Sequence, residues 1–465
     1  MINTFAIRCN ILRLAFSGNL TVQTEEDGTA AELLGKVNAK KTIMESENVP
    51  YSIPNSWAWV KISNLYKVNP KVEASGSTEA AFIPMEKISG GFDRDFTYET
   101  QSWEQASKNH TKFADGDVAF AKITPCFENR KSFIAQNLPN GIGGGTTELI
   151  ILRQKEMLPE YTYFLVLDQR FISTGTASYK GTVGQQRVQS DVIKNYLVPV
   201  APYAEQQRIV EKIEQAFSIL DTIDTLQTQY ADNLTALRAK LIDAAIQGKL
   251  TEQLPEDGTA EDLYQQIQAE KQALIKAGKI KKEKPLPAIA EDEVPFEIPN
   301  NWKWCRLTDI SSTNIGLTYH PEDVVSDGTI VVRSSNIINS RMDYNDLVKV
   351  RCPIKENQYL NNTDIVICAR NGSKALVGKC AIYEGDSGVV AFGAFMAVLR
   401  TPFYKYVFYY LLTDAFRRYF HSDDSKQINQ VTQSILKEAV IPLPPIKEQE
   451  RIVAKLDEVL KEIEG

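Results

Sequence analysis

The chain has 465 residues, 43% apolar and 24% charged, which is room for roughly two to four soluble domains, each with a core of its own. No apolar run approaches the roughly 20 residues of a membrane span, and the opening residues lack the order of a secretory signal, so the expected location is cytoplasmic. The net charge of −7 excludes a uniformly basic surface for phosphate, but segments 50–200 and 294–446 are near neutral and the acidic excess falls on the helical parts, which leaves a DNA partner open.

The first segment, Ala6-Ile7-Arg8 through Leu20-Thr21 and on to Glu26-Asp27-Gly28-Thr29, reads as a helix and its exit. It lines up with Ala236-Leu237-Arg238 through Leu250-Thr251 and Glu256-Asp257-Gly258-Thr259, about 230 positions later. Next comes Val49-Pro50-Tyr51-Ser52-Ile53-Pro54-Asn55-Ser56-Trp57-Ala58-Trp59. This returns as Val294-Pro295-Phe296-Glu297-Ile298-Pro299-Asn300-Asn301-Trp302-Lys303-Trp304 after about 245 positions, far beyond any solenoid period, and implies two domain-sized copies.

Trp57 and Trp59, like Trp302 and Trp304, alternate as on one strand face. Asp115-Gly116-Asp117 before Val118-Ala119-Phe120 reads as a turn into a buried strand, and Asn362-Thr363-Asp364 before Ile365-Val366-Ile367 matches it. Tyr161 to Arg170 and Tyr404 to Arg418 read as aromatic-rich helices, with their Tyr residues assigned to cores. The copies close on Val198-Pro199-Val200-Ala201-Pro202 with Glu205-Gln206-Gln207-Arg208-Ile209-Val210, and on Ile441-Pro442-Leu443-Pro444-Pro445 with Glu448-Gln449-Glu450-Arg451-Ile452-Val453.

From Glu205 to Gln247 there is no Pro or Gly, and apolar residues fall at Ile209, Ile213, Ala216, Leu220, Ile223, Tyr230, Leu234, Leu237, Leu241 and Ala244, in steps of three and four with one polar interruption at Gln227. That heptad pattern predicts a helix packed along another, roughly 65 Å long and ended by Gly248. The same frame returns at Ile452, Leu456, Val459 and Ile463, where the chain stops. Placed after it, the opening helix rebuilds a near copy of the central rod. Between the copies, Lys279-Ile280-Lys281-Lys282-Glu283-Lys284-Pro285-Leu286-Pro287 reads as an exposed linker, with a basic DNA-contacting arm as the alternative.

In this order and duplication, the closing motifs, the long helix ending in Leu241-Ile242-Asp243-Ala244-Ala245-Ile246-Gln247-Gly248-Lys249-Leu250-Thr251 and the split second helix resemble the DNA specificity subunits of type I restriction-modification enzymes. The resemblance covers essentially the whole chain. It implies an α+β fold: two similar mixed α/β target-recognition domains separated by two long antiparallel coiled-coil helices, pseudo-two-fold and quasi-circular. The expected divisions are an N-terminal helix completing the distal conserved region (1–48), recognition domain 1 (49–203), a central spacer helix with the following helical segment (204–275), a charged linker (276–293), recognition domain 2 (294–445) and a C-terminal conserved helix (446–465). The resemblance further implies a non-catalytic subunit required for both methylation and restriction. Each recognition domain would read one half of a bipartite, asymmetric double-stranded DNA target, while the helices set the spacing and dock two methyltransferase subunits. Restriction/translocase subunits complete the assembly, and S-adenosylmethionine, ATP and Mg would belong to those partners, leaving this chain no cofactor of its own.

Base reading needs Arg or Lys for guanine and Asn or Gln for adenine on protruding elements. In the first copy the candidates are Lys122, Thr124, Asn129, Arg130 and Lys131 after the buried strand, and Tyr179, Lys180, Gln185, Gln186 and Arg187 before the closing helix. In the second they are Arg333, Ser334 and Asn336, then Arg370, Asn371, Ser373 and Lys374, then Lys426, Gln427, Asn429 and Gln430. Ordinary turn and capping roles compete at each position. Arg208, Lys212, Arg451 and Lys455 are the candidates for helix faces that dock partners.

Two rival functions stay open: a coiled-coil adaptor that binds no DNA, and a stand-alone DNA methyltransferase or nuclease. For the methyltransferase, Asn69-Pro70-Lys71-Val72 lacks the second proline and aromatic of a base-flipping tetrad, and Gly141-Ile142-Gly143-Gly144-Gly145 lacks a phosphate-loop lysine and reads as a turn. Six cysteines without a C-x-x-C pair and three separated histidines predict reduced thiols and no metal site.

Overall fold

The computed structural model describes residues 1–36, 49–154, 156–182, 184–278, 280, 282, 284–420 and 430–464. The chain divides into two compact units, Met1–Gln229 and Tyr230–Gly465, and a continuous helix, Tyr203–Ile246, carries the chain from one to the other. No helix among the described residues is long and apolar enough to cross a membrane. All six cysteines are free thiols.

In the first unit the N-terminal helix, Thr4–Phe16, starts on an Asn3 side chain that accepts from the Ala6 amide. It runs antiparallel to the first half of the central helix. Ile2 bonds to Gln227, Arg8 reaches Asp221 and Asp224 at 2.5 and 2.8 Å, and the Leu20 carbonyl accepts from Lys212. Gly18 ends the helix at φ +74, and a Cβ there would lie 2.3 Å from the Pro54 ring, so the turn admits only glycine. Gly248, at φ +74 against Pro299, does the same for the central helix.

Each unit closes its mixed domain by pairing that domain's first strand with its last, antiparallel: Ala58–Lys61 with Leu197–Val200, and Lys303–Arg306 with Val440–Leu443. A four-stranded antiparallel sheet follows in each. Its order is Tyr66–Val68, Leu149–Gln154, Val118–Ala121 and Ser132–Ile134 in the first unit, and Ser312–Ile315, Met396–Arg400, Ile365–Cys368 and Cys380–Ile382 in the second. The strands expected at Val118 and Ile365 are the inner ones, buried throughout, as continuous apolar runs require. A second sheet keeps one parallel pair in common, Glu79–Ile83 with Ile142–Gly145 and Val324–Val332 with Ala391–Phe392, while its other strands differ between units.

That second sheet corrects the reading of the glycine run. Gly143, Gly144 and Gly145 form a strand, not a turn, because a Cβ on Gly144 would come within 1.8 Å of the Ala106 carbonyl oxygen in the helix packed above. The aromatic helices also differ from expectation, since each is broken in two. Asp168 and Thr413 sit at the breaks and cap the following turn through the Arg170 and Phe416 amides.

The two cores are built alike. Leu12, Phe16, Trp57, Tyr161, Ile209 and Ile213 share one cluster in the first unit; Ile242, Ile246, Trp302, Tyr406, Ile452 and Leu456 share one in the second. The heptad frame of the central helix is buried at its two ends but not in its middle, where Tyr230 and Leu237 are exposed, because the N-terminal helix begins opposite Gln227. In the linker, Lys279, Lys281 and Glu283 lie outside the described residues, and the Pro287 carbonyl accepts from Arg306.

Candidate nucleic-acid interface

The closing motif acts first as a fastener. Glu205 is fully buried and accepts the Trp57 indole N–H at 2.7 Å and the Thr21 and Gln23 side chains at 2.8 Å. Glu448 repeats this with Trp302 and Gln253 at 2.9 Å and Thr251 at 3.4 Å. One helical turn on, Arg208 grips Asp27 with both terminal nitrogens at 2.6 Å, and Arg451 grips Asp257. These guanidinium groups hold both carboxyls below the usual aspartate range. Arg208 and Arg451, weighed from the sequence as partner-docking residues, are therefore occupied inside their own units, and Lys212 and Lys455 bond to Leu20 and Glu458.

With the domain anchored in this way, the chain leaving the buried strand meets the segment ahead of the closing helix. In the first unit the Thr124 amide donates to the Gln186 carbonyl at 2.9 Å, the Val188 amide donates to Lys122 at 2.9 Å, and Lys180 and Arg187 exchange backbone bonds. The structure thus brings Lys122, Thr124, Tyr179, Lys180, Gln185, Gln186 and Arg187 together. Lys180 and Gln185 are exposed at the loop tip, whereas Arg187 is clamped on Glu148 at 2.8 to 3.2 Å and lowers the carboxyl's pKa. Tyr179 packs on Phe127, and burial with the nearby Glu128 carboxylate pushes its phenol upward. Thr124 donates to Glu128.

Three neighbours fall outside this group. Asn129 is exposed further along the loop, and Lys131 donates to the Met85 carbonyl at 2.9 Å. Arg130 is buried: its guanidinium donates to Leu167 and Gln169 and lies against the Phe5 and Phe92 rings. An arginine used in this way is a core group, and its side chain is not available at the surface for a phosphate or a base.

In the second unit the same crossing recurs, with the Val431 amide donating to Ala369 at 2.9 Å and Arg370 bridged to Gln430. Lys426, Gln427 and Asn429 lie outside the described residues. Here the crossing borders a cavity of about 1090 Å³ that Arg333, Ser334, Arg370, Asn371 and Lys374 line together, although more than thirty positions of sequence separate the two groups. Asn371 donates to the Ser334 hydroxyl at 2.9 Å and pins one wall to the other; Ser373, exposed, turns on the Asn371 side chain. Arg333 pairs with Asp346 at 2.8 Å. Asn336 is buried and spends its amide on the Asp343 and Asp346 carbonyls and the Arg333 amide, so it shapes the wall rather than facing the opening.

The residues that sequence reasoning missed are Tyr319, Asp346 and Phe395, all lining this cavity. Phe395 sits in the apolar run from Val389 to Leu399, where nothing marks it as different from its buried neighbours. Asp346 lies in a polar loop with other acids, and only its ion pair sets it apart.

Comparison with known proteins agrees with this architecture. Residues 299–465 match the sequence pattern of the Type I restriction modification DNA specificity domain. Over 97% of this chain and 88% of the relative, the sequence is 31% identical to the Type I restriction enzyme EcoAI specificity subunit of Escherichia coli, and at the same coverage 30% identical to the EcoEI specificity subunit of Escherichia coli. A chain from the solved structure of a type I R-M system, studied for complex assembly and conformational transition, shares the fold at TM-score 0.62 and 20% identity, covering 89% of this chain and 92% of that one. With relatives this similar along nearly its entire length, the chain belongs to the family of type I restriction-modification DNA specificity subunits.

Proposed function

We propose that this chain is the non-catalytic reader of a bipartite, asymmetric double-stranded DNA target, the first unit taking one half and the second unit the other. The observation that carries this reading is the recurrence of one loop crossing: in each unit the loop leaving the inner strand is hydrogen-bonded to the segment before the closing helix, at Lys122 with Val188 and at Ala369 with Val431. Both crossings carry the lysine, arginine and amide side chains that meet phosphates and base edges. The proposed contacts in the first unit are Lys122, Thr124, Asn129, Lys131, Tyr179, Lys180, Gln185, Gln186 and Arg187. In the second they are Arg333, Ser334, Arg370, Asn371, Ser373 and Lys374, with Lys426, Gln427, Asn429 and Gln430 beside them. Because these loops differ between units while the frames match, the two halves of the target differ in sequence.

Chemistry on the DNA belongs to partners in this reading. Two methyltransferase subunits bring S-adenosylmethionine and extrude the target base, and restriction/translocase subunits bring ATP and Mg. The assembly acts in the cytoplasm. The deciding experiment is methylation sequencing of DNA from cells carrying this chain with its partners, together with fluorescence titration of duplex DNA. A methylated motif in two parts and sequence-selective binding are expected; binding to the partner proteins with no preference among duplexes would identify a protein-only adaptor instead.

A further inference from the structure

Phe395 is 63% exposed at the edge of the second unit's cavity, although Phe392 before it and Met396 after it are fully buried. The fold does not need the ring there, since the strand it precedes is already packed. What the fold does provide is a fixed partner. The Ala369 and Arg370 amides both donate to the Phe395 carbonyl, at 2.9 and 3.1 Å, so the two turns form one rigid piece. The Arg370 guanidinium lies 5.8 Å from the centre of the Phe395 ring, and no described residue accepts a hydrogen bond from it. Two residues before Phe395, the Gly393 backbone packs so closely on Gly316 that a Cβ on Gly316 would meet the Gly393 carbonyl oxygen at 2.2 Å.

An exposed guanidinium fork held beside an aromatic ring presents two donors in a plane. In the major groove, guanine N7 and O6 are the acceptor pair that fits such a fork. A phenyl ring donates and accepts nothing, and the apolar group it can meet on a base edge is the thymine methyl. Asp346 lines the same cavity and pairs with Arg333, which leaves Arg370 as the guanidinium there that no described carboxylate holds. We propose that Arg370 and Phe395 together read an adjacent guanine and thymine in the half-site bound by the second unit, Arg370 taking the guanine and Phe395 the thymine methyl. This rests on the reading that the cavity faces DNA.

The test uses the full chain assembled with its methyltransferase subunits and the duplex target defined by methylation sequencing. Phe395 is exposed and Arg370→Lys keeps the charge, so both variants should fold. Phe395→Ala is expected to weaken binding to the target by about tenfold, and thymine→uracil in the second half should weaken the wild type equally. Combining the two should cost no more than either alone. Arg370→Lys should pair in the same way with 7-deazaguanine at the neighbouring position. Additive losses overturn the proposal while leaving the DNA reading intact, as does a second half-site without adjacent guanine and thymine. An equal loss on every sequence after Arg370→Lys also overturns it, because that is the mark of a phosphate contact. If the wild-type assembly binds all duplexes alike, the DNA reading itself fails and the proposal falls with it.

Discussion

Glu205 and Glu448 are buried carboxylates, each held by an indole, a hydroxyl and an amide donor rather than by a cation. A carboxylate suits the position because it accepts from all three at once, which offsets the cost of burying its charge. Glu205→Gln puts an NH2 among donors and leaves at least one N–H unpaired. It is expected to destabilise the first unit by roughly 1–3 kcal/mol in urea unfolding, and unchanged stability would show that the carboxylate is not what fastens the domain. The Asp27, Asp257 and Glu293 carboxyls are all depressed, chiefly by Arg208, Arg451 and Arg306, Glu293 to about 2. A carboxyl whose folded pKa lies below its unfolded value adds stability that is complete above the unfolded value and disappears as pH falls through the folded one. Stability should therefore decline below about pH 4, the ordinary carboxylate range. Asp27→Asn should be less stable than wild type at neutral pH and lose less between pH 4 and pH 2, as measured by urea midpoints across that range.

At the scale of elements, glycine decides where chains cross. The Ile142–Gly145 strand lies under the Trp103–Ser107 helix only because Gly144 has no side chain, and Gly144→Ala forces that helix and strand apart. The expected cost is about 1–3 kcal/mol, the usual penalty of overpacking, read as a lowered unfolding midpoint. If the alanine variant were as stable as wild type, the strand would have room that its geometry denies. The broken aromatic helices follow from capping. Asp168 and Thr413 offer side-chain acceptors to the turn after them, and such a residue is as good a start for a new helix as it is a poor continuation of the old one. The 44-residue central helix was legible because nothing in it competes: no glycine, no proline, and an apolar frame that only Gln227 interrupts.

For the whole molecule, the same fastener, closing strand pair and loop crossing occur in both units, and one helix runs through the boundary between them. If the helices set the distance between half-sites, inserting a matched heptad in the central helix and in the terminal helical segments should change the separation of the two parts in the methylated motif. An unchanged separation removes the ruler idea. The amino-acid sequence by itself determined the duplication, the mixed domains, the long helix and its glycine stop, and the family, because repeats, periodicity and glycine turns are local patterns that survive without coordinates. Only the tertiary structure decided which polar residues are free to act. Arg130 and Asn336 look like Arg370 and Asn371 in one dimension, yet the first two are consumed by carbonyls that lie far away or on a facing loop. Phe395 looks like core and stands in the open. A side chain's availability depends on what the fold brings against it, and those partners are remote in sequence.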